Sequence, residues 1–297
     1  MAWRTIAIEN PAKLSLKDNK LAILQDEEIH IPLEDIDALL IDNPAVSLTE
    51  KLIVALAEHK IATFLSDEKH LPTAMIFPYS QASRGVKNAR AQLNLPESTR
   101  KQLWRKNIMT KIKNQADVLK KYNLKYDDLL ELAKTVRSGD VGNNESVAAR
   151  LYFSRLLDDS TRRKPMWYNS ALNYGYALIR GVLARSIAAR GLISMVGINH
   201  HSELNQYNLA DDLIESIRPL VDDYILSVVA SHHLGETNDY NLNREDRRLL
   251  LDIFNFNGII KGRRFNLSSI CDIVVDDFLS SILADSTEPF ELPSLNK

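Results

Sequence analysis

Two short stretches hold the side chains best suited to chemistry at a metal ion. In GNNESVAARLYF (residues 142–153), Glu145 falls in what reads as the first turn of a helix capped by Asn143 or Asn144. The helix dipole favours a carboxylate there. Ala148, Ala149 and Tyr152 share its face, and the two alanines leave room for a bulky group to approach. In GINHH (197–201) and LADDLIE (209–215), the candidates are His200, Asp212 and Glu215, with His201 an alternative to His200. Asp212 and Glu215 lie three apart on a predicted helix, so they share a face and repel unless a cation sits between them. Arg218 is one such cation, and a metal ion is the other. Each residue alone has an ordinary structural explanation. Together, a glutamate, a histidine and a second acidic residue form a mixed oxygen and nitrogen set that suits Mg²⁺ or Mn²⁺ better than a thiolate-seeking metal. Open coordination positions would take water and phosphate oxygens, and the metal would polarise a phosphoryl group.

The elements that must position these groups divide into two textures. Residues 1–78 read as a small β-rich domain. Short strands are expected at Arg4–Ile8, Lys13–Lys17, Lys20–Leu24, Glu28–Pro32, 37–41 and 61–65, with a tight turn at Asp18-Asn19. One helix is expected over 47–59, capped by Ser47 with Glu50 completing a capping box. Pro72, Pro78 and the polar residues 79–83 read as a linker. Residues 84–297 carry helical periodicity, with Gly and Pro mostly at boundaries, and read as a larger all-α-helical catalytic domain. The fold class is therefore α+β. Within 169–178 (NSALNYGYAL), the small residues predict close helix packing. The tail from Ser286 is expected to fray.

The net charge of −2 hides an uneven distribution. Residues 1–80 carry a balance of −6, residues 81–137 a balance of +9, and the remainder −5. A basic segment between two acidic ones is either a footprint for nucleic-acid phosphate or a solvated helix surface. Arg84, Lys87 and Arg90 lie in it. Arg162-Arg163-Lys164 form a second basic run, and Arg180 and Arg185 lie on a predicted helix from which they could reach DNA. The lone Cys271 excludes an intramolecular disulfide and a zinc finger, and fits a reducing cytoplasm. Neither a signal-peptide core nor a membrane-length apolar run is evident. The doublet His232-His233 reads as a helix C-terminus rather than a ligand pair.

Three stretches in order, ESVAARLYF from Glu145, NSALNYGYAL from Asn169 with Gly191-Leu192, and GINH through NLADDLIE to RPLVD ending at Asp222, resemble the CRISPR-associated integrase family, the universal endonuclease of spacer acquisition. The resemblance covers nearly the whole chain. It implies a metal site at Glu145, His200 and Glu215, with Asp212 at an additional acidic position. Ser146, Asn199 and Ile217 depart from the family's usual residues without removing a ligand. The LADDLIE–RP segment and the length look most like the type II branch. The resemblance further implies a homodimer formed through the β-domains, two such dimers around a small ferredoxin-like partner dimer, and contact with the RNA-guided effector nuclease. The implied substrates are a double-stranded DNA fragment and CRISPR repeat DNA, joined when a terminal 3′-hydroxyl attacks a phosphodiester. In that setting the run at 162–164 suits a phosphate clamp. Two rival readings are a non-catalytic DNA-binding scaffold, in which Glu145→Ala changes nothing, and a non-haem iron oxidoreductase, which would consume oxygen.

Overall fold

Alternating apolar and polar residues at the start of the chain build two sheets. The computed structural model describes residues 4–79, 82, 84–157, 162, 166–229 and 241–295. Strands β2 (Lys13–Lys17), β3 (Lys20–Leu24) and β4 (Glu28–Pro32) form an antiparallel meander. Asp18 and Asn19 both take positive φ in the β2–β3 turn, as a two-residue hairpin requires. The second sheet has the order β1-β5-β7-β8, with β1 (Arg4–Ile8), β5 (Ile36–Ile41) and β7 (Ala62–Ser66) parallel and β8 (Pro72–Ile76) antiparallel at the edge. Leu39, Leu52, Leu56 and Leu21 meet in the core of this unit.

Two sequence readings change here. Ser47 does not cap the first helix. It pairs with Lys13 in the short strand β6 (Ser47–Leu48), so helix α1 (Glu50–Glu58) starts later and Thr49 is its cap. Pro72 is not linker. It opens the edge strand β8, one of the few strand positions where a missing N–H costs nothing.

Beyond these sheets the chain is largely helical, and the fold is α+β. Helices α2 (Gly85–Leu93), α3 (Glu97–Lys121), α4 (Asp127–Thr135), α5 (Asn144–Leu156) and α6 (Trp167–Ala189) precede α7 (Asn208–Leu213), α8 (Arg218–Tyr224), α9 (Arg244–Leu251) and α10 (Leu267–Ala284). One hairpin interrupts them, β9 (Asn257–Ile260) with β10 (Arg263–Asn266). It turns through Lys261 and Gly262, both at positive φ. The Lys-Gly pair is not among the strong hairpin signals, so periodicity alone passes over it.

The helical core is continuous with the sheet. Ala38, Leu40, Ala62 and Phe64 pack in the same cluster as Leu178, Val182 and Phe254. The tail does not fray through the described residues. Phe290 is fully buried against Phe278, and Ser294 exchanges backbone hydrogen bonds with Ile259. Apolar burial and strand pairing together outweigh the turn-forming composition.

Candidate metal centre

Helix α3 runs beneath the site. Its buried stripe contains Trp104, Ile108, Lys111, Ile112, Gln115 and Leu119, at spacings of three and four. A lysine on that stripe is out of place unless it has a partner. Lys111 is 5% exposed, and its Nζ lies between two carboxylates. It donates a short hydrogen bond to Glu145 Oε1 and stands 2.5 Å from Glu215 Oε2. The helix is held in register on both sides of this lysine. Asn107 Nδ2 donates to the Asp212 carbonyl (2.6 Å), and Asn114 Nδ2 donates to the Ser216 carbonyl (2.9 Å).

Glu145 enters the site from the first turn of α5. Its helix is not capped by a side chain of Asn143 or Asn144. Asn143 takes the N-cap position with left-handed backbone geometry, and the capping carboxylate is Asp140. Asp140 Oδ1 accepts from the Asn144 N–H and Oδ2 from the Glu145 N–H, each at 3.0 Å. Ala148 and Tyr152, on the face of Glu145, are fully buried.

Glu215 follows α7 and is 4% exposed. Burial works against its charge, but Lys111 and then Arg218 outweigh that, and the carboxyl is held below the usual carboxylate range. For Lys111 the same balance holds: burial disfavours the ammonium, yet Glu215 and Glu145 raise it above the ordinary lysine value. Arg218 Nη2 lies 3.3 Å from Glu215 Oε1, and its guanidinium sits 5.0 Å from the centre of the Tyr176 ring.

Asp212 is completely buried and has a different task from Glu215. Its Oδ2 accepts from the N–H groups of Ile198 and Asn199, and its Oδ1 accepts from the His200 N–H (3.1 Å) and from His200 Nδ1 (2.7 Å). A carboxylate can only accept, so Nδ1 carries the hydrogen and the lone pair of His200 is left on Nε2. The bond to Asp212 raises the imidazole above its ordinary value against the opposing effect of burial. The loop closes this tightly because residue 197 is glycine. A Cβ there would stand 2.4 Å from the His200 carbonyl oxygen and 2.5 Å from Asp212 Oδ2. The Trp104 and His200 rings meet nearly perpendicular at 5.8 Å between centroids. His201 is exposed and has no such partner.

Glu145 and Glu215 therefore converge on one point, and a cation stands there. Among the described residues, no three His, Cys, Asp or Glu groups stand together as a ready-made metal cluster. The lysine ammonium holds the position between the two carboxylates. Two carboxylates already gathered around one positive charge suit a hard divalent ion, whereas the His200 imidazole, oriented by the carboxylate behind it, does not join them in a three-group cluster.

Other basic candidates separate by environment. Arg84, at the N-cap of α2, and Lys87 and Arg90 on that helix are exposed. That helix is tied to the loop leading to His200, since Asn88 donates to the Arg190 carbonyl and Gln92 donates to the carbonyls of Ile193 and Val196. Arg180 is committed to Asp211, Asn205 and the face of Tyr207. Arg185 is buried, donating to the Lys60 carbonyl and to Asp272, so it does not reach towards DNA. Arg162 lies against the rings of Phe153 and Tyr176 and bonds to Asn169 and Asn173. Arg163, Lys164 and the His232-His233 doublet lie outside the described residues.

Lys111, Asp140 and Gln92 are site residues that sequence reasoning missed. Only Lys111 left a signal, as a cation on an apolar helical stripe.

The fold recurs in solved structures. A casposase bound to its integration product superimposes with a TM-score of 0.75 at 20% identity, over 98% of this chain and 94% of the casposase. A Cas1 protein from Thermotoga maritima gives a TM-score of 0.73 at 18% identity, over 94% and 97% of the two chains. In sequence, the model of the family "CRISPR associated protein Cas1" matches residues 6–255, and the chain belongs to that family. The CRISPR-associated endonuclease Cas1 of Neisseria meningitidis serogroup C (strain 8013) is 37% identical over 99% of this chain and 97% of its own. A Cas1 endonuclease from Pyrobaculum aerophilum is 28% identical over 75% and 80%.

Proposed function

We propose that this protein is a metal-dependent DNA endonuclease and integrase of CRISPR adaptation, inserting captured DNA fragments into a repeat array. The observation that carries this reading is the meeting of Glu145 and Glu215, far apart in sequence, on a single positive charge. Glu145, Glu215 and Nε2 of His200 would hold Mg²⁺ or Mn²⁺. When bound, the ion polarises a phosphoryl oxygen and steadies charge on the leaving oxygen. Asp212 keeps the His200 lone pair on the outer nitrogen, and Gly197 lets the loop close upon it. Arg84, Lys87 and Arg90 present positive charge to a phosphate backbone beside that loop. The attacking group is a 3′-hydroxyl of the captured fragment. A new phosphodiester forms as one in the repeat breaks, so the number of such bonds is conserved and no ATP is needed.

The proposal includes a homodimer through the β-domain. Strand β4 lies at a sheet edge and carries Ile29, 55% exposed, which suits contact with a second copy. It also includes a complex with the small ferredoxin-like partner and, for the type II branch indicated by residues 209–219, the RNA-guided effector nuclease. The names of similar structures, including a complex described as Cas6-RT-Cas1–Cas2, support partners of this kind. No helix of the described residues is long and apolar enough to cross a membrane.

The experiment is strand transfer of a short duplex into a supercoiled plasmid with Mn²⁺ or Mg²⁺, comparing wild type with Glu145→Gln and His200→Ala. Both variants should lose transfer. A lysine seated between the carboxylates also favours a second reading, a DNA-binding scaffold with no metal chemistry. In that case both variants would bind DNA and support any complex as wild type does.

A further inference from the structure

Lys111 has a position that an ordinary salt bridge does not require. Its ammonium reaches both carboxylates of the site rather than one, and it lies within the protein rather than at its surface. Asn107 and Asn114, on either side of it along α3, are each bonded to a backbone carbonyl of the segment bearing Glu215. The base of the lysine is therefore fixed relative to Glu215, while its four-carbon stem leaves the charged end free to move. Two carboxylates facing one another cannot both stay ionised without a cation between them. Arg218 reaches only Glu215, and at 3.3 Å it is the more distant partner.

We propose that Lys111 is the resident counter-cation of this site, holding Glu145 and Glu215 together until a divalent ion takes its place. Metal uptake is then an exchange, in which the ammonium leaves the carboxylates as the ion arrives. Two consequences follow. The metal-free protein has a preformed pair of ligands, because Lys111 prevents them from repelling each other. The protein also binds metal more weakly than its carboxylates alone would, because one positive charge must be displaced and then remains nearby. Lys111 is a positioning residue, acting through the two glutamates. The inference rests on the metal reading above.

The test compares full-length wild type with Lys111→Met, which keeps most of the stem and removes the charge. Mn²⁺ binding is read by the loss of the free-ion EPR signal, and stability by thermal melting with and without Mn²⁺. Lys111→Met should bind one Mn²⁺ roughly tenfold or more tightly than wild type. It should melt lower without metal, and gain more than wild type when Mn²⁺ is added. Should Lys111→Met not fold without metal, it is refolded in Mn²⁺, and Lys111→Gln serves as the second variant for affinity. A 1:1 Mn²⁺ site that is lost in Glu215→Gln, but has equal or weaker affinity in both Lys111 variants, overturns the exchange and leaves the metal reading standing. Wild type that binds no Mn²⁺ overturns both.

Discussion

Replacing Asp212 with asparagine isolates what this buried carboxylate does. Four donors converge on its two oxygens: three backbone N–H groups and His200 Nδ1. An amide has one oxygen, so one pair of donors must face an NH₂ group. The less costly arrangement turns that group towards His200. The imidazole can then accept at Nδ1, but only by moving its hydrogen to Nε2. The His200 N–H is left without a partner, at a cost of about 1–3 kcal/mol, and the two bonds to Ile198 and Asn199 lose charge assistance worth about 1 kcal/mol each. Asp212→Asn should thus destabilise the fold by about 3–5 kcal/mol and lower Tm by about 5–8 °C. It should also abolish strand transfer as fully as His200→Ala, because a protonated Nε2 cannot bind a cation. Nitrogen-15 spectra of the imidazole should show the tautomer switch. The exposed Glu203→Gln, on the same loop, is the control and should leave both readouts unchanged. A wild-type melting temperature and an unchanged His200 tautomer in Asp212→Asn would refute this role for the carboxylate.

Three further outcomes are expected. Burial raises Asp222 from 3.8 to about 6, against the hydroxyl donors Tyr176 and Tyr152. The folded state therefore holds this proton more tightly than the unfolded chain, so stability from this group is present below pH 4 and is lost as pH rises towards about 6. At about 1.4 kcal/mol per pH unit the loss approaches about 3 kcal/mol, and denaturant melts of wild type and Asp222→Asn should converge or cross over that window. At Gly181, an added Cβ would stand 2.3 Å from Phe64 Cε1 and 2.7 Å from Met75 Sδ, where α6 meets the sheet. Gly181→Ala should cost a net ~1–2 kcal/mol after its helical gain, read as a lower denaturation midpoint. DNA binding should weaken steeply with salt, and reversing Arg84, Lys87 and Arg90 to glutamate should make the log–log slope shallower by about 0.9 for every phosphate the protein no longer neutralises. A triple variant with the wild-type salt slope would place the DNA-binding surface elsewhere.

Local pattern determined a good deal by itself. Strands β1 to β4 were legible at their observed limits as short segments, several of which alternate apolar and polar residues. The small residues of 169–178 correctly marked close packing: a Cβ at Gly175 would stand 3.0 Å from Val221. The order of a β-rich part before a helical part was also legible, as was the place of Glu145 in the first turn of a helix; Glu215 was expected on the helix of Asp212 but lies just beyond its end. Tertiary structure decided the rest. Strand β6 exists only because β2 is there to pair with it, and that pairing moved the start of α1. Whether Asp212 or Glu215 faces the site could not be read from two acids on one helical face. The difference comes from the loop that folds back onto Asp212 and from α3, which presents Lys111 to Glu215 across a sequence separation that no local period encodes. Burial makes such a distant charge pair decisive, since a carboxylate removed from water must find its cation wherever the packing brings one.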